Sequence, residues 1–217
     1  MSKPRADAGH LETVLDDGTR VHFRPIQPDD KRWLQSGVAQ MTPESRYRRF
    51  FSPLDHLTDE QLAYFTEVDQ VNHVAWVATV PDEPGEPAIA VARFVRVPTD
   101  AEAAEAAVTV IDPYQGRGIG RAILVVLTEA AIRLGVRRFT MFVLGQNESM
   151  IKLLRDAGAH MDSVHDGVYE FHVDLPRTIE EIDTSAAPRV LRVAASGHLH
   201  GETGHGLSRM LFRLGRK

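Results

Sequence analysis

Three glycines at positions 116, 118 and 120 stand between a strand-like segment and a helix-like segment. Residues 108–120 read VTVIDPYQGRGIG, and the β-branched first half is typical of a strand that ends at Asp112 and Pro113. Downstream, apolar residues recur at helical spacing until Gly135, namely Ile119, Ala122, Ile123, Val126, Leu127, Ala130 and Leu134. A glycine-rich turn before a helix directs unpaired backbone N–H groups towards one place, where the helix dipole adds partial positive charge. The segment therefore predicts a site for a phosphate or pyrophosphate group.

The spacing of these glycines excludes two common phosphate-binding loops. A P-loop needs a lysine after its glycines, and none follows here. A dinucleotide-binding loop needs a glycine three positions after Gly118, where Arg121 stands, and no acidic residue ends the next predicted strand. The remaining pattern, QGRGIG at 115–120, resembles the Q/R-x-x-G-x-G/A loop of the GNAT superfamily of N-acetyltransferases. The resemblance implies a site for the pyrophosphate of acyl-coenzyme A.

The same resemblance implies which residues contact the cofactor. The strand before the loop splays from its neighbour in this family, so the backbone N–H groups of Val110 and Ile111 would meet the pantetheine arm and the thioester carbonyl. The pyrophosphate cradle would consist of Gln115, Gly116, Arg117, Gly118, Ile119, Gly120 and Arg121. Arg117 and Arg121 could direct charge at the phosphates or be solvated arginines. Asn147 matches a family asparagine on the cofactor arm, although an asparagine there could equally be a helix N-cap.

Acetyl transfer to an amine also needs a base, and the resemblance assigns that role to Glu105. Family members carry a glutamate at this distance before the loop, and a glutamate is unusual in an alanine-rich, β-branched strand. On the residues alone, Glu105 would more simply lie near a strand start and meet water. His73 and Asp69 are weaker candidates, since a lone histidine at a strand start is usually structural.

The sequence departs from the family at one catalytic position. Many members place a tyrosine in the middle of the late helix to protonate the leaving thiolate, and Leu154 occupies that position. The thiolate would then leave unassisted or through water. No metal site is expected, because the chain has no cysteine and His198, His200 and His205 lie in a glycine-rich stretch without carboxylates at ligand spacing.

Composition restricts the class of protein further. The 217 residues are 43% hydrophobic, which is ordinary for a globular protein, and the net charge of -5 argues against general affinity for nucleic acid. The first ten residues have no apolar core of a signal peptide, and no long apolar run follows. These features predict a cytoplasmic monomer or homodimer that binds neither membrane nor nucleic acid.

The elements that must position these residues follow from hydrophobic periodicity and turn residues. Strands are predicted at 13–15, 20–26, 73–80, 88–95, 103–111, 137–144 and 169–175, the last closing the sheet. Helices are predicted at 28–40, 42–51, 58–67, 119–134 and 147–158. In the second helix, Arg46, Arg48 and Arg49 would form a solvated face, and Tyr47, Phe50 and Phe51 would be core. This order predicts an α/β (α+β) protein with the GNAT fold, a mixed, mostly antiparallel central sheet flanked by helices, with a C-terminal tail.

The predicted organisation is a flexible N-terminus at 1–11, an acetyltransferase domain at 12–175 and a tail at 176–217. Within the domain, ESRYRRFFSPL, FTEVDQVNHVA and AEAAVTVIDPYQGRGIG are similar to the acetyltransferase domain of bacterial Pat-type protein-lysine acetyltransferases. In the tail, 189–193 could form a short strand. Residues 207–217 form a basic amphipathic segment that could pack on the domain, cover the active site, or bind a partner or an anionic surface.

The resemblance therefore predicts transfer of an acetyl group from acetyl-CoA to a primary amine, such as a protein lysine, by direct attack with Glu105 as general base. A second hypothesis is a catalytically weak acyl-CoA-binding regulatory module. The missing tyrosine favours the module, whereas Glu105 favours the enzyme.

Overall fold

A nine-stranded sheet organises the part of the chain that the computed structural model describes, which is residues 11–15, 17–178 and 190–191. The strands are β1 (Leu11–Val14), β2 (Arg20–Pro25), β3 (His73–Thr79), β4 (Ala88–Val97), β5 (Asp100–Val110), β6 (Arg138–Leu144), β7 (His160–His165), β8 (Val168–Asp174) and β9 (Val190–Leu191). The helices are α1 (Lys31–Ala39), α2 (Pro43–Phe50), α3 (Asp59–Thr66), α4 (Ile119–Arg133) and α5 (Glu148–Asp156).

The strand order is β7-β8-β6-β5-β4-β3-β2-β1-β9. Every neighbouring pair is antiparallel except β5 and β6, which are parallel and are connected through α4. Parallel neighbours need such a crossover connection. The structure confirms the predicted mixed, mostly antiparallel sheet flanked by helices.

The two faces of the sheet are covered by different helices. On one face, the apolar stripe of α4 packs against β3, β4 and β5, and Ile123 and Leu127 are fully buried there beside Phe94. On the other face lie α1 and α3, whose buried residues include Val38 and Phe65. Burial of these apolar surfaces is the main favourable contribution to folding.

The strands differ from the predicted set at both edges. β7 was not predicted because its sequence, HMDSVH, has no apolar alternation, and most of its residues are exposed beside β8. β9 lies within the predicted strand 189–193 and pairs with β1, so the sheet continues beyond strand 169–175. β5 begins at Asp100, three residues before the predicted start, and the predicted helix 28–40 begins with a 3₁₀ turn at Pro28–Asp30.

Several predictions concern residues outside the described part of the chain. These are the N-terminal residues 1–10, the histidines His198, His200 and His205, and the basic segment 207–217. Among the described residues, no helix is both long enough and apolar enough to span a bilayer. No cluster of three potential metal ligands occurs within the same residues. The limits of the domain, 12–175, and of the tail, 176–217, stay a prediction.

We expect a chain that ends at Thr178 to fold. The buried Leu175 is retained, and the loss of β9 removes two residue pairs from the edge strand β1. Such pairs contribute roughly 0.2–1 kcal/mol each, so the melting temperature should fall by at most about 8 °C. Thermal denaturation followed by circular dichroism measures the change. As a comparison, a chain that ends at Gly167 also lacks β8 and its buried Phe171 and should not fold. An unfolded chain ending at Thr178 would contradict the predicted limits.

Candidate active site

The neighbouring strands β5 and β6 separate partway along their length. Their parallel pairing comprises Ala103 with Arg138, Ala104 with Phe139 and Glu105 with Thr140. Beyond this point β5 continues to pair with β4 as far as Val110, and β6 continues to pair with β8 as far as Leu144. The strands therefore enclose a V-shaped gap with Glu105 at its narrow end, which is the splay that the family resemblance implies.

A cavity of about 700 Å³ occupies this gap. Its walls come from β5, β6, α2, the first turns of α5 and residues 115–120, which we call the glycine loop. The predicted site residues that line it are Glu105, Val110, Gln115, Gly116, Gly118, Ile119, Gly120, Arg121 and Asn147. The structure thus brings most of the predicted residues to one place, whereas Ile111 and Arg117 lie outside it.

The backbone of Val110 faces the gap, and that of Ile111 does not. The N–H of Ile111 donates to the carbonyl of Ile89 in β4 at 3.0 Å. The carbonyl of Val110 instead accepts from Nε2 of Gln115 at 3.0 Å. Because the N–H and C=O of one strand residue point to the same side, and neighbouring residues alternate, the N–H of Val110 is directed away from β4. The N–H of Ile111 is therefore already bonded within the sheet, whereas the N–H of Val110 is directed towards the gap. The contacts of both residues with acyl-coenzyme A stay a prediction.

The glycine loop exposes backbone N–H groups at the start of α4. Gly116 and Gly118 have φ angles of +74° and +82°, which glycine adopts without strain. Gly118 is the N-cap of α4, and no side chain caps the first turn. A Cβ at Gly120 would lie 3.6 Å from Cγ2 of Val110 and 3.9 Å from Cδ2 of Leu153, which both line the cavity. A longer side chain at Gly120 would extend into the gap. These features fit a bound pyrophosphate.

The charged side chains that line the cavity are mostly basic. Within the described part of the chain they are Arg48, Arg49, Arg121 and the single acid Glu105. Arg48 extends from α2 to the loop before α5, where its Nη2 donates to the carbonyl of Gln146 at 3.4 Å. A cleft with this charge suits a ligand that carries several negative charges.

Arg117 fastens the loop to the rest of the protein. Its Nε donates to Oδ2 of Asp17 at 2.7 Å and its Nη2 donates to Oγ1 of Thr19 at 2.9 Å, while the guanidinium lies over the ring of Tyr114. Hydrogen bonds from Thr19 and Arg117 lower the pKa of Asp17 to about 2. The sequence left two interpretations of Arg117, namely a contact with phosphate and simple solvation. The structure favours neither, because Arg117 forms an ion pair with Asp17 in the turn between β1 and β2.

The prediction for α2 is wrong at several residues. Arg48 and Arg49 line the cavity, and the side chain of Arg46 is only 16% exposed. Tyr47 is 46% exposed and Phe51 is 36% exposed, although both were expected in the core. At 100° per residue, Arg46, Arg48 and Arg49 span about 160° of the helix, which is compatible with one solvated face. The local sequence therefore gave no signal for a second role of these arginines.

Asp112 joins α2 to the glycine loop. Its Oδ2 accepts from the backbone N–H of Thr42 at 2.6 Å, and its Oδ1 accepts from Oγ of Ser45 at 2.6 Å and from Nε2 of Gln115 at 2.7 Å. Burial opposes ionisation of this carboxyl group, but the hydrogen bonds from Ser45 and Thr42 outweigh it and hold the pKa of Asp112 below its ordinary value. The carboxylate therefore fixes the helix that carries Arg48 relative to the loop.

Glu105 lines the cavity, and the two weaker candidates for the base do not. Glu105 is partly buried and close enough to Arg49 for their charges to interact. The ring of His73 packs at a tilt against Tyr64, with the ring centroids 4.9 Å apart. Burial together with the charge of Arg93 lowers the pKa of His73 to about 3. Asp69 is exposed, and its Oδ1 accepts backbone hydrogen bonds from residues 71, 72 and 73. Neither His73 nor Asp69 lines the cavity.

Two residues of α5 show what the late helix contributes. Asn147 is the N-cap, and its Oδ1 accepts from the N–H of Met150 at 3.2 Å while the residue also lines the cavity. Both interpretations of Asn147 are thus compatible with its position. Leu154 is 1% exposed, packs in the core and does not line the cavity. Leu153 and Met150 face the cavity in its place.

Comparison with known families identifies this arrangement. Residues 20–160 match the model of the acetyltransferase (GNAT) domain, a match that covers the strands β2 to β6, the gap and the loop. The chain belongs to the GNAT acetyltransferase family.

Similar proteins support the assignment. Over 159 residues the chain is 39% identical to acetyltransferase Pat of Mycolicibacterium smegmatis, which covers 73% of this chain and 47% of that protein. The crystal structure of the GNAT domain of S. lividans PAT superposes with a TM-score of 0.72 at 36% identity, covering 80% of this chain and all of that chain. A cAMP-binding acyltransferase from Mycobacterium smegmatis superposes with a TM-score of 0.58 at 34% identity over 81% of this chain and 49% of that chain. The GNAT chain thus spans about half of two of these relatives.

We expect substitutions in the glycine loop to abolish binding of acetyl-CoA without unfolding the protein. Gly118→Asp and Gly120→Glu each place a negative charge at the start of α4, where the pyrophosphate would lie. Isothermal titration calorimetry with acetyl-CoA measures the effect. Gly135→Asp, at the other end of α4 and with open space around a Cβ, controls for the general cost of replacing a glycine of positive φ. Wild-type affinity in both loop variants would refute the site.

We expect Asp112→Asn to destabilise the protein, because the amide nitrogen faces one of the donors that the carboxylate accepts. The free energy of unfolding should fall by about 1–3 kcal/mol. Ser45→Ala removes a single hydrogen bond to Asp112 and should cost about 0.5–1.5 kcal/mol. Urea denaturation of both variants measures these changes. Equal stability of wild type and Asp112→Asn would show that the connection between α2 and the loop is unimportant.

Proposed function

We propose that the protein transfers an acetyl group from acetyl-CoA to a primary amine, and that a protein lysine is the first acceptor to test. The observation that carries this proposal is the separation of β5 from β6, which opens a cavity lined by an uncapped helix start, basic residues and a single acid. The lysine acceptor rests on the resemblance to Pat-type enzymes alone, since the chain covers only part of that relative.

The residues present fit acetyl-CoA. The N–H groups at the start of α4 and the side chain of Arg121 would hold the pyrophosphate, and the N–H of Val110 would bind the pantetheine arm or polarise the thioester carbonyl. Bound acetyl-CoA would supply the activated acyl group. Asn147 and Met150, on the opposite wall of the cavity, would contact the other side of the pantetheine arm.

In this proposal Glu105 accepts the proton that the attacking amine loses. Its carboxylate lies at the narrow end of the gap and lines the cavity, so an amine that reaches the end of the pantetheine arm would meet it. A lysine-type amine has a reference pKa of about 10.4 and is almost entirely protonated at neutral pH. A positioned base is therefore needed before the nitrogen can attack. The neighbouring Arg49 places a positive charge beside Glu105.

A second candidate function, binding of acyl-CoA without efficient transfer, is favoured by the buried Leu154. The helix then offers no phenol to protonate the leaving thiolate at that position. One assay distinguishes the two functions. It measures the release of coenzyme A with lysine peptides, small amines and candidate proteins as acceptors. Saturable binding of acetyl-CoA without turnover on any acceptor would favour the binding module.

We expect Glu105→Gln to lower turnover by roughly 10²–10⁴, because the variant retains the shape of the side chain but removes the base. The affinity for acetyl-CoA should change little. Raising the pH should partly restore the turnover of the variant, since more free amine is then present. The turnover of the wild type should stop rising at a lower pH than that of the variant. Release of free thiol, measured between about pH 6 and pH 10, follows both profiles.

Glu102→Gln is the matched control, because Glu102 lies exposed on the same strand and does not line the cavity. It should retain wild-type turnover at every pH. Full activity of Glu105→Gln at neutral pH would show that the base is a different group.

A further inference from the structure

Arg93 is a buried cation for which the described residues supply no carboxylate within ion-pairing distance. It lies on β4 and is 6% exposed. Both Nη atoms donate to the carbonyl of Phe65 at 3.3 Å, and Nη1 lies 3.1 Å from Nε2 of His73. The guanidinium also lies over the ring of Phe65, at 4.5 Å from its centroid. Its Nε is buried and has no hydrogen-bond partner.

The charges around Arg93 do not balance. Arg93 and Glu105 lie on the same face of the sheet, because Arg93 is opposite Ala107 and Glu105 is two residues from Ala107. Arg49 stands close to both of them. Among the residues that the structure describes, two guanidinium groups thus face one carboxylate, which leaves one excess positive charge at the buried Arg93 and its neighbour Arg49. Proteins rarely bury an uncompensated charge, because its desolvation is costly.

The other titratable groups around Arg93 do not supply the missing negative charge. Burial and the charge of Arg93 lower the pKa of His73 to about 3, so that the ring is neutral at neutral pH. Burial raises the pKa of Tyr64, so the phenol is neutral as well. Asp69 is exposed, and its Oδ1 accepts from three backbone N–H groups, including that of His73. Burial and the charge of Arg49 lower the pKa of Arg93 to about 9, which leaves it protonated at neutral pH.

A small second cavity of about 60 Å³ lies at this cluster, between the sheet and the helices α1 and α3. Arg93 and Arg49 line it, and most of the remaining wall is apolar, with Leu34, Val38, Ile89 and Val91 among its residues. Arg49, Phe50, Met41 and Thr109 line both this cavity and the large one, so the two spaces are adjacent. The volume is that of a few water molecules, which is also the size of a carboxylate group with a short aliphatic stem.

We infer that Arg93 and Arg49 bind the carboxylate of a substrate whose reacting end lies at Glu105. A carboxylate there would balance the excess charge and could accept a hydrogen bond from the unpartnered Nε of Arg93. This inference rests on the proposed function, because it describes the substrate of the same site. The carboxylate could belong to the acceptor, as in an amino acid with a distant amine, or to the acyl group, as in a dicarboxylic acyl chain.

The chemistry of transfer is the same in both cases. A bond forms between the amine nitrogen and the acyl carbon, and the bond between that carbon and the thioester sulfur breaks. The proton lost by the amine goes to Glu105, and coenzyme A leaves as its thiolate. Nothing is oxidised or reduced.

The experiment uses the full chain and compares substrates that differ only in a carboxylate. In the acceptor arm, acetyl-CoA is offered with 4-aminobutanoate, 5-aminopentanoate and 6-aminohexanoate, each against the n-alkylamine of the same length. In the donor arm, butylamine is offered with succinyl-CoA against butanoyl-CoA, whose acyl chain has the same length. Free thiol and product mass are measured. We expect kcat/KM to be at least about tenfold higher for the carboxylate-bearing member in one arm, which then identifies the source of the carboxylate. Equal values within every pair of both arms would overturn the inference.

Variants distinguish recognition from a structural role. Arg93→Met replaces a buried charge by an apolar side chain of similar length, a change that buried sites often tolerate. It should reduce the preference for the carboxylate-bearing substrate to about one, and Arg49→Met should reduce it in the same direction. Arg133→Met, on the exposed end of α4, should keep the wild-type preference. An equal loss with acidic and neutral substrates in Arg93→Met would overturn the inference.

A binding measurement separates this inference from the proposed function. Glutarate is titrated into the wild type and into Arg93→Met by calorimetry, which needs no turnover. Binding to the wild type that is at least about tenfold weaker in the variant supports the carboxylate site even if no amine is acetylated. If the wild type turns over amines but does not bind glutarate and shows no carboxylate preference, the inference fails and the proposed function stands.

Discussion

The separation of β5 from β6 is the constraint on which the rest of the structure depends. Buried backbone groups must find hydrogen-bond partners, and β5 loses those of β6 beyond Glu105 while it keeps those of β4. The edge of β5 that faces the gap then needs water, a side chain such as Gln115, or a ligand. Since α4 begins directly after this edge, unpaired N–H groups of a strand and of a helix face the same cavity. The sheet thereby creates a binding site without any special side chain.

Side chains then fix what surrounds that gap. Asp112 accepts hydrogen bonds from α2 and from Gln115, and Arg117 is paired with Asp17, so the loop is held from two sides. The helix α2 in turn places Arg48 and Arg49 in the cavity. A loop fixed in this way needs little reordering when a ligand binds, which reduces the entropic cost of binding. A few hydrogen bonds around the loop therefore both hold the loop rigid and position the arginines that make the cavity positively charged.

The parts of the structure that could be predicted are those specified by local sequence. The strand, glycine turn and helix at 108–134 are present because β-branched residues, left-handed glycines and helical periodicity each act over a few residues. The registers of β5 with β4 and with β6 could not be read in this way. The hydrogen bond from the N–H of Ile111 to Ile89 depends on the first of these registers, and the gap depends on the second. The environment of the arginines in α2 was predicted wrongly, because it depends on the contact of this helix with the loop. That contact joins Thr42 to Asp112, which are 70 residues apart in sequence. Long-range contacts, rather than local preference, determine the environment of these residues.

The buried Leu154 bears on which proton transfer matters most in such a site. A thiol has a reference pKa of about 8.5 and a lysine-type amine one of about 10.4, so a thiolate is stable enough to leave near neutral pH without an acid. The amine, by contrast, cannot attack until its proton has been removed. In the proposed mechanism, the absence of a tyrosine at this position therefore costs less than the absence of a base would, and Glu105 at the end of the gap is the more demanding requirement. A site that keeps Glu105 and replaces the tyrosine by a core leucine is consistent with acetyl transfer, and it gains an apolar contact in α5 in exchange.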